Sequence, residues 1–208
     1  SALEAVALCS ADEPGPASRV LAFGADVLAD PAFAAELDGL LSSDRHRVHG
    51  HDVKASMRAL LPMGVDVRSL ALDTAVAGYL LEPADTNYPV ADLVRRYAGF
   101  DVPALDAAAE GQLDFGAGTA PAAERAGMQS ASVAAVSHKL AEAMVARGLD
   151  RLNDEIEVPL VRVLARMEVV GIGVDTDELK GLNTALIEEC NSLTKEIWAD
   201  AGHEFNVN

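Results

Sequence analysis

The chain is 208 residues long, half hydrophobic, only 4% aromatic, and carries a formal net charge of −17. That is enough for one or two domains with cores of Ala, Val and Leu, while the acidity argues against a general nucleic-acid-gripping surface, which needs clustered Lys and Arg. No apolar run approaches the roughly 18 residues of a membrane span and the start lacks the basic-then-apolar form of a signal peptide, so the expected location is cytoplasmic, with no membrane partner.

Leu3–Ser10 and Arg19–Gly24 are short apolar runs separated by the Pro- and Gly-rich Ala11–Pro16, which predicts a hairpin. Asp30-Pro31 opens a helix to Leu41, with Phe33, Leu37, Leu40 and Leu41 on one face. Arg45–His49 reads as a strand. Strand alternation puts His46 on the opposite face from His49 and His51, and no carboxylate or Cys completes a zinc set nearby, so these histidines are expected to be solvated.

After the polar start Gly50-His51-Asp52, the residues Lys54, Met57, Leu60 and Leu61 follow one helical stripe, ended by Pro62-Met63-Gly64. Val65, Val67 and Leu70–Leu72 form an apolar run that hands over at Asp73-Thr74 to a capped helix through Glu82. Tyr88–Tyr97 predicts a further helix carrying the adjacent arginines Arg95 and Arg96. Asp101–Ala122, rich in Ala, Gly and Pro, predicts a long surface loop. Ala123–Ala146 has Met128, Val133, Val136, Leu140, Met144 and Val145 near helical spacing.

From Arg147 onward the pattern is purely helical. Ile156, Leu160, Val163, Leu164 and Met167 recur at three- and four-residue steps up to Gly171. Leu179, Leu182, Leu186, Cys190, Leu193 and Ile197 line a second helix, Thr176–Ala201, and the two predict an antiparallel pair. Asp175 and Glu178 fit a helix capping box. Cys9 and Cys190 have no metal-ligand spacing and are expected to be buried thiols in a reducing compartment. Cys9-Ser10 and Ser137-His138 are simple neighbours without a third orienting group, and there is no Gly-rich phosphate loop.

The order of these pieces resembles the 3′–5′ exonuclease domain of the bacterial family A DNA polymerases, in which a helix with Lys-x-Asp precedes a strand ending in Asp-Thr. Lys54, Asp73 and Thr74 match, as do Gly78–Pro83 and Leu93, Arg96 and Tyr97. Asn153–Leu164, Met167-Glu168, Gly171 and Val174-Asp175 resemble the entry into that family's polymerase thumb, and Glu204–Asn208 resembles the phrase after the second thumb helix. The resemblance implies an α/β fold: an RNase H-like mixed sheet with flanking helices over residues 1–146, then an all-α helix pair over 147–208 that begins the thumb. It also implies a parent chain that continues into the rest of the thumb, the fingers and the palm, acts on DNA with Mg2+ in replication and repair, and packs this segment on the palm and thumb.

The departures are chemical. Where active relatives carry a metal-binding Asp after the lysine, this chain has Ser56; where they carry a Tyr and, four residues on, an Asp, it has Gln129 and Val133. The family's opening Asp-x-Glu is not found at the start of the chain, and Asp175-Thr176-Asp177 comes too late in the order to replace it. Two-metal phosphodiester hydrolysis needs several convergent carboxylates, so the resemblance implies a vestigial, structural exonuclease-like domain that holds no catalytic residue, metal or cofactor of its own. Lys54, Arg95 and Arg96 are the candidate DNA contacts. The alternatives are an active exonuclease with unrecognised ligands such as Asp52, Asp66 and Asp73, and a non-catalytic acidic interaction module.

Overall fold

The computed structural model describes residues 4–10, 19–103 and 121–207. The chain divides into two compact units, Ser1–Val170 and Gly171–Asn208. In the first, β1 (Ala5–Cys9) pairs antiparallel with β2 (Val20–Gly24), as the two apolar runs predict. A short helix α1 (Ala25–Leu28) leads to α2 (Pro31–Leu41), whose start is fixed by Pro31 and by Asp30, the side chain of which accepts the Ala32 N–H at 2.8 Å. Ala34, Leu37 and Leu41 are buried, whereas Leu40, expected on the same face, is exposed.

Strand β3 (Val48–Gly50) is shorter than Arg45–His49 predicts and runs parallel to β4 (Leu70–Asp73). Between them lies α3 (Val53–Leu60), which buries Val53, Met57 and Leu60. Lys54, expected on that stripe, stands at its flank. Gly50 is required just before this helix because an added Cβ would collide with the Val53 side chain. Val65 and Val67 are buried but lie outside the strand they were expected to begin.

Helix α4 (Thr74–Leu81) follows β4 directly. The helix expected over Tyr88–Tyr97 is α5 (Val90–Leu93) continued by a wide five-residue turn at Val94–Ala98. The loop predicted over Asp101–Ala122 lies, from 104 to 120, outside the described residues, as does the hairpin turn. Helix α6 (Ala122–Arg147) matches the periodicity and buries Val133, Val136, Leu140 and Met144, whereas Val145, adjacent to Met144 and so turned off that stripe, is exposed. Among the described residues the strands form two separate two-stranded ladders, one antiparallel and one parallel, and the rest of the unit is mainly helical.

After α7 (Asp150–Leu152) and a second wide turn at Asn153–Glu157, α8 (Val158–Val170) closes the first unit. Its small residues Val161 and Ala165, one helical turn apart, join the core made by Leu37, Met57, Leu60, Val65 and Leu70. The first compact unit therefore runs on to Val170, and α8, expected to belong to the second segment, supplies part of that unit's core. A second cluster unites Leu72, Ala77, Leu81, Leu93, Val94, Val136 and Leu140.

The second unit is α9 (Thr176–Ala201) and its flanks. Asp175 caps it as expected, accepting from the N–H groups of Asp177 and Glu178 at 3.1 and 3.0 Å. In its last turn, Trp198 Nε1 donates to the carbonyl of Phe205, just past the helix, at 2.8 Å. Leu179, Leu182, Leu186, Leu193 and Ile197 are exposed. Both thiols are free, Cys9 half-buried and Cys190 exposed, so the expectation of two buried thiols fails: Cys190 lies on the same open stripe of α9.

Candidate functional site

The end of β4 and the start of α3 meet at Asp73, only 2% exposed. One carboxylate oxygen accepts the N–H groups of Ala75 and Asp52 at 2.9 and 3.1 Å, and the other accepts that of Val53 at 2.7 Å. Asp73 thus caps α4 and also holds the first turn of α3, where Asp52 takes the left-handed conformation (φ 48°) that side chains seldom adopt. Beside it, His51 Nδ1 and the buried Thr74 Oγ1 are hydrogen-bonded at 2.8 Å. This knot contains much of what the sequence singled out, and its polar atoms are satisfied within the fold.

The histidines are not solvated as expected. His49 and His51 are half-buried, and only His46 is exposed. Burial pushes both pKa values below the ordinary 6.5, reinforced at His49 by Arg47 and partly offset at His51 by Asp73 and Asp52. His49 Nδ1 is buried without a partner. Because the folded pKa values lie below the unfolded value, the unfolded chain takes up protons first. Stability present above pH 6.5 is therefore lost as the pH falls below it. Urea denaturation should show stability falling from about pH 7.5 to about pH 5.5, and His49→Val should flatten that dependence; an unchanged slope would refute the assignment.

Ser56 is exposed on α3, whereas Val133 is buried on α6 and Gln129 is exposed one turn earlier. Lys54 Nζ pairs with Glu168 of α8 at 2.8 Å, and Arg58 reaches the other oxygen of Glu168 at 3.0 Å. Arg95 is tied to Asp101 and Asp92, and Arg96 to Asp85, beside a polar cleft of about 350 Å³. All three candidate DNA contacts are thus already ion-paired. Asp66 accepts from Arg162 Nε at 2.8 Å and Nη2 at 2.5 Å, which keeps its carboxyl below the usual range.

Among the described residues no three His, Cys, Asp or Glu side chains converge to hold a metal ion. The residues present do not fit a pair of divalent cations. Ser56 offers a neutral hydroxyl and Val133 a buried isopropyl group, Asp73 is spent on three N–H groups, and Asp66 is spent on Arg162.

No family model matches the chain. The chain is similar to DNA polymerase I of Geobacillus stearothermophilus, 32% identical over 188 residues that cover 87% of this chain and 20% of that protein. It is similar to DNA polymerase I of Bacillus caldotenax, 29% identical over 188 residues with the same coverage. A solved structure described as the POL domain of Pol1 from M. smegmatis in complex with DNA primer-template and dNTP matches with TM-score 0.74 and 20% identity, over 99% of this chain and 35% of that one. This chain belongs to the bacterial DNA polymerase I family. It spans about a fifth of the length of the polymerase I relatives it matches.

For a polymerase I segment, the residues that sequence reasoning missed are the ones that join distant parts of the chain. Asn153, 2% exposed, donates through Nδ2 to the β4 carbonyl of Ala71 at 3.4 Å. Arg162 and Glu168 of α8 reach back to Asp66, Lys54 and Arg58. Nothing local in the sequence marks Asn153 as a buried tether. No helix of the described residues is long and apolar enough to cross a membrane.

Proposed function

We propose that this chain is part of a DNA-directed DNA polymerase I acting in replication and repair, with a vestigial exonuclease-like domain of RNase H-like fold over 1–146 and the start of the thumb over 147–208. In this reading the first domain is structural, nucleotidyl transfer and its Mg2+ belong to the parent enzyme, and DNA is met through that enzyme. The observation that carries it is the state of the ligand positions: a hydroxyl at exposed Ser56, an isopropyl group at buried Val133, and an Asp73 carboxylate filled by three backbone N–H groups. A carboxylate so saturated keeps little lone-pair capacity for a cation, and neutral side chains cannot offset the charge of two of them.

The test is a titration of the 208-residue chain with Mg2+ or Mn2+ followed by thermal melting, beside a digestion assay on single-stranded DNA. No saturable rise in melting temperature and no cleavage are expected. Cleavage that disappears in Asp73→Ala would overturn the structural reading and establish a nuclease.

A further inference from the structure

Most cations of this acidic chain are used up internally, yet five arginines gather at the end of the β3–β4 pair opposite Asp73. Asp66 is shared by three of them: Arg162 at 2.5 and 2.8 Å, Arg68 at 3.3 Å and Arg166 at 4.0 Å. One carboxylate offsets one charge, so this group is left positive. Val48 N–H donates to the Ser69 carbonyl at 2.9 Å, which sets Arg47 and Arg68, the residues before them, at the same end of the parallel ladder. Arg45 and Arg47 are exposed and, among the described residues, neither forms an ion pair.

The tip that carries them is braced. Arg45 N–H donates to Ser43 Oγ and His46 N–H to the Ser43 carbonyl, both at 3.2 Å, while Ser69 Oγ and the N–H groups of Arg68 and Ser69 all converge on the Leu41 carbonyl. Of the nearby carboxylates, Asp44 adjoins Arg45 in sequence, and Asp38 already accepts the Asp66 N–H at 2.8 Å.

We infer that this arginine cluster, Arg45, Arg47, Arg68, Arg162 and Arg166, is a binding surface for the phosphate backbone of duplex DNA. Guanidinium forks match phosphate oxygens in geometry and charge. No Phe, Tyr or Trp lies within 44–47, 66–68 or 162–166, and His46 is the one ring there, so the surface offers little stacking area for unpaired bases and suits the backbone of a duplex without regard to sequence. At about 0.1 M ionic strength the Debye length of about 10 Å hides most of the chain's distant negative charge from a phosphate seated there. DNA as the polyanion follows from the polymerase reading, whereas the contact belongs to this chain alone and is independent of whether the exonuclease centre is vestigial.

The experiment is fluorescence anisotropy of a labelled duplex with the 208-residue chain at about 0.1 M ionic strength, with a labelled single strand and polyglutamate as comparison arms. Duplex binding is expected, weakened about tenfold in R45Q/R47Q, with a log-affinity against log-salt slope smaller by about 2, since each phosphate neutralised contributes about 0.9. Asp44→Asn, which removes a neighbouring carboxylate, should tighten binding, a gain that unfolding cannot mimic. Lys195→Gln, another exposed cation without an ion pair among the described residues, should change nothing. Absence of duplex binding, equal binding by R45Q/R47Q, tighter binding of the single strand, or equal competition by polyglutamate would overturn the assignment. Failure here would leave the absence of cleavage and of metal-linked melting as they stand.

Discussion

Asp73→Ala is expected to destabilise the first unit by about 3–5 kcal/mol, a fall in melting temperature of roughly 10 °C for a unit of this size. The reason is geometric and involves no metal. The carboxylate serves three N–H groups from two separate segments, and Val53, one of the donors, is itself buried. Losing a helix cap alone costs about 1 kcal/mol. Here the substitution also leaves the Asp52 and Val53 N–H groups without an acceptor and releases Asp52 from a left-handed conformation that the carboxylate helps to hold. Asp73→Asn should be milder, because one oxygen still accepts. Circular-dichroism melts with and without Mn2+ decide the matter: if the wild type, but not the variant, were stabilised by the metal, Asp73 would be a ligand.

How much of this was legible in the sequence depended on range. Local signals read well: Asp30-Pro31 gave the start of α2, Asp73-Thr74 the capped start of α4, and Asp175 the start of α9. Each is written within a few residues, by a side chain that satisfies N–H groups of its own first turn. What stayed hidden was long-range. Periodicity tells which stripe of a helix is apolar and says nothing of what covers it, so α8 looked like the partner of α9 although Val161 and Ala165 belong to the core of the first unit.

The same limit applies to charge. Lys54 looked free to meet DNA until Glu168, 114 residues away, was seen beside it, and Arg95 and Arg96 were likewise engaged. Asp66, weighed as a metal ligand, belongs to an arginine 96 residues further on. The histidines misled because alternation and the lack of a metal set say nothing of what packs on them; burial at His49 and His51 comes from packing that no local pattern encodes. Ser56, Gln129 and Val133 were singled out from residue type and order alone; what the structure adds is that Ser56 and Gln129 are exposed and Val133 is buried.

Placing acids at Ser56 and Val133 should have opposite consequences at the two helices. Ser56 is exposed in the first turns of α3, where an acid is tolerated or slightly favoured by the helix dipole, so Ser56→Asp should change stability by less than about 0.5 kcal/mol. Val133 is 6% exposed, and Val133→Asp would bury a carboxylate with no cation beside it, at a cost of about 3 kcal/mol or more near neutral pH. Burial raises the folded-state pKa of such a group above its unfolded value, so the penalty is present above the raised pKa and relaxes, relative to wild type at the same pH, as acidification protonates it. Paired urea titrations at about pH 7.5 and about pH 5 would display that sign. The double variant S56D/V133D is the sharper form. In a fold that had merely lost two ligands, Mn2+ would repair the damage by neutralising the new carboxylates and would lift the melting temperature with saturable dose dependence. Here no such rise is expected, because Asp73 keeps its oxygens on Ala75, Asp52 and Val53, and two new acids alone cannot gather the several carboxylates that a pair of cations demands.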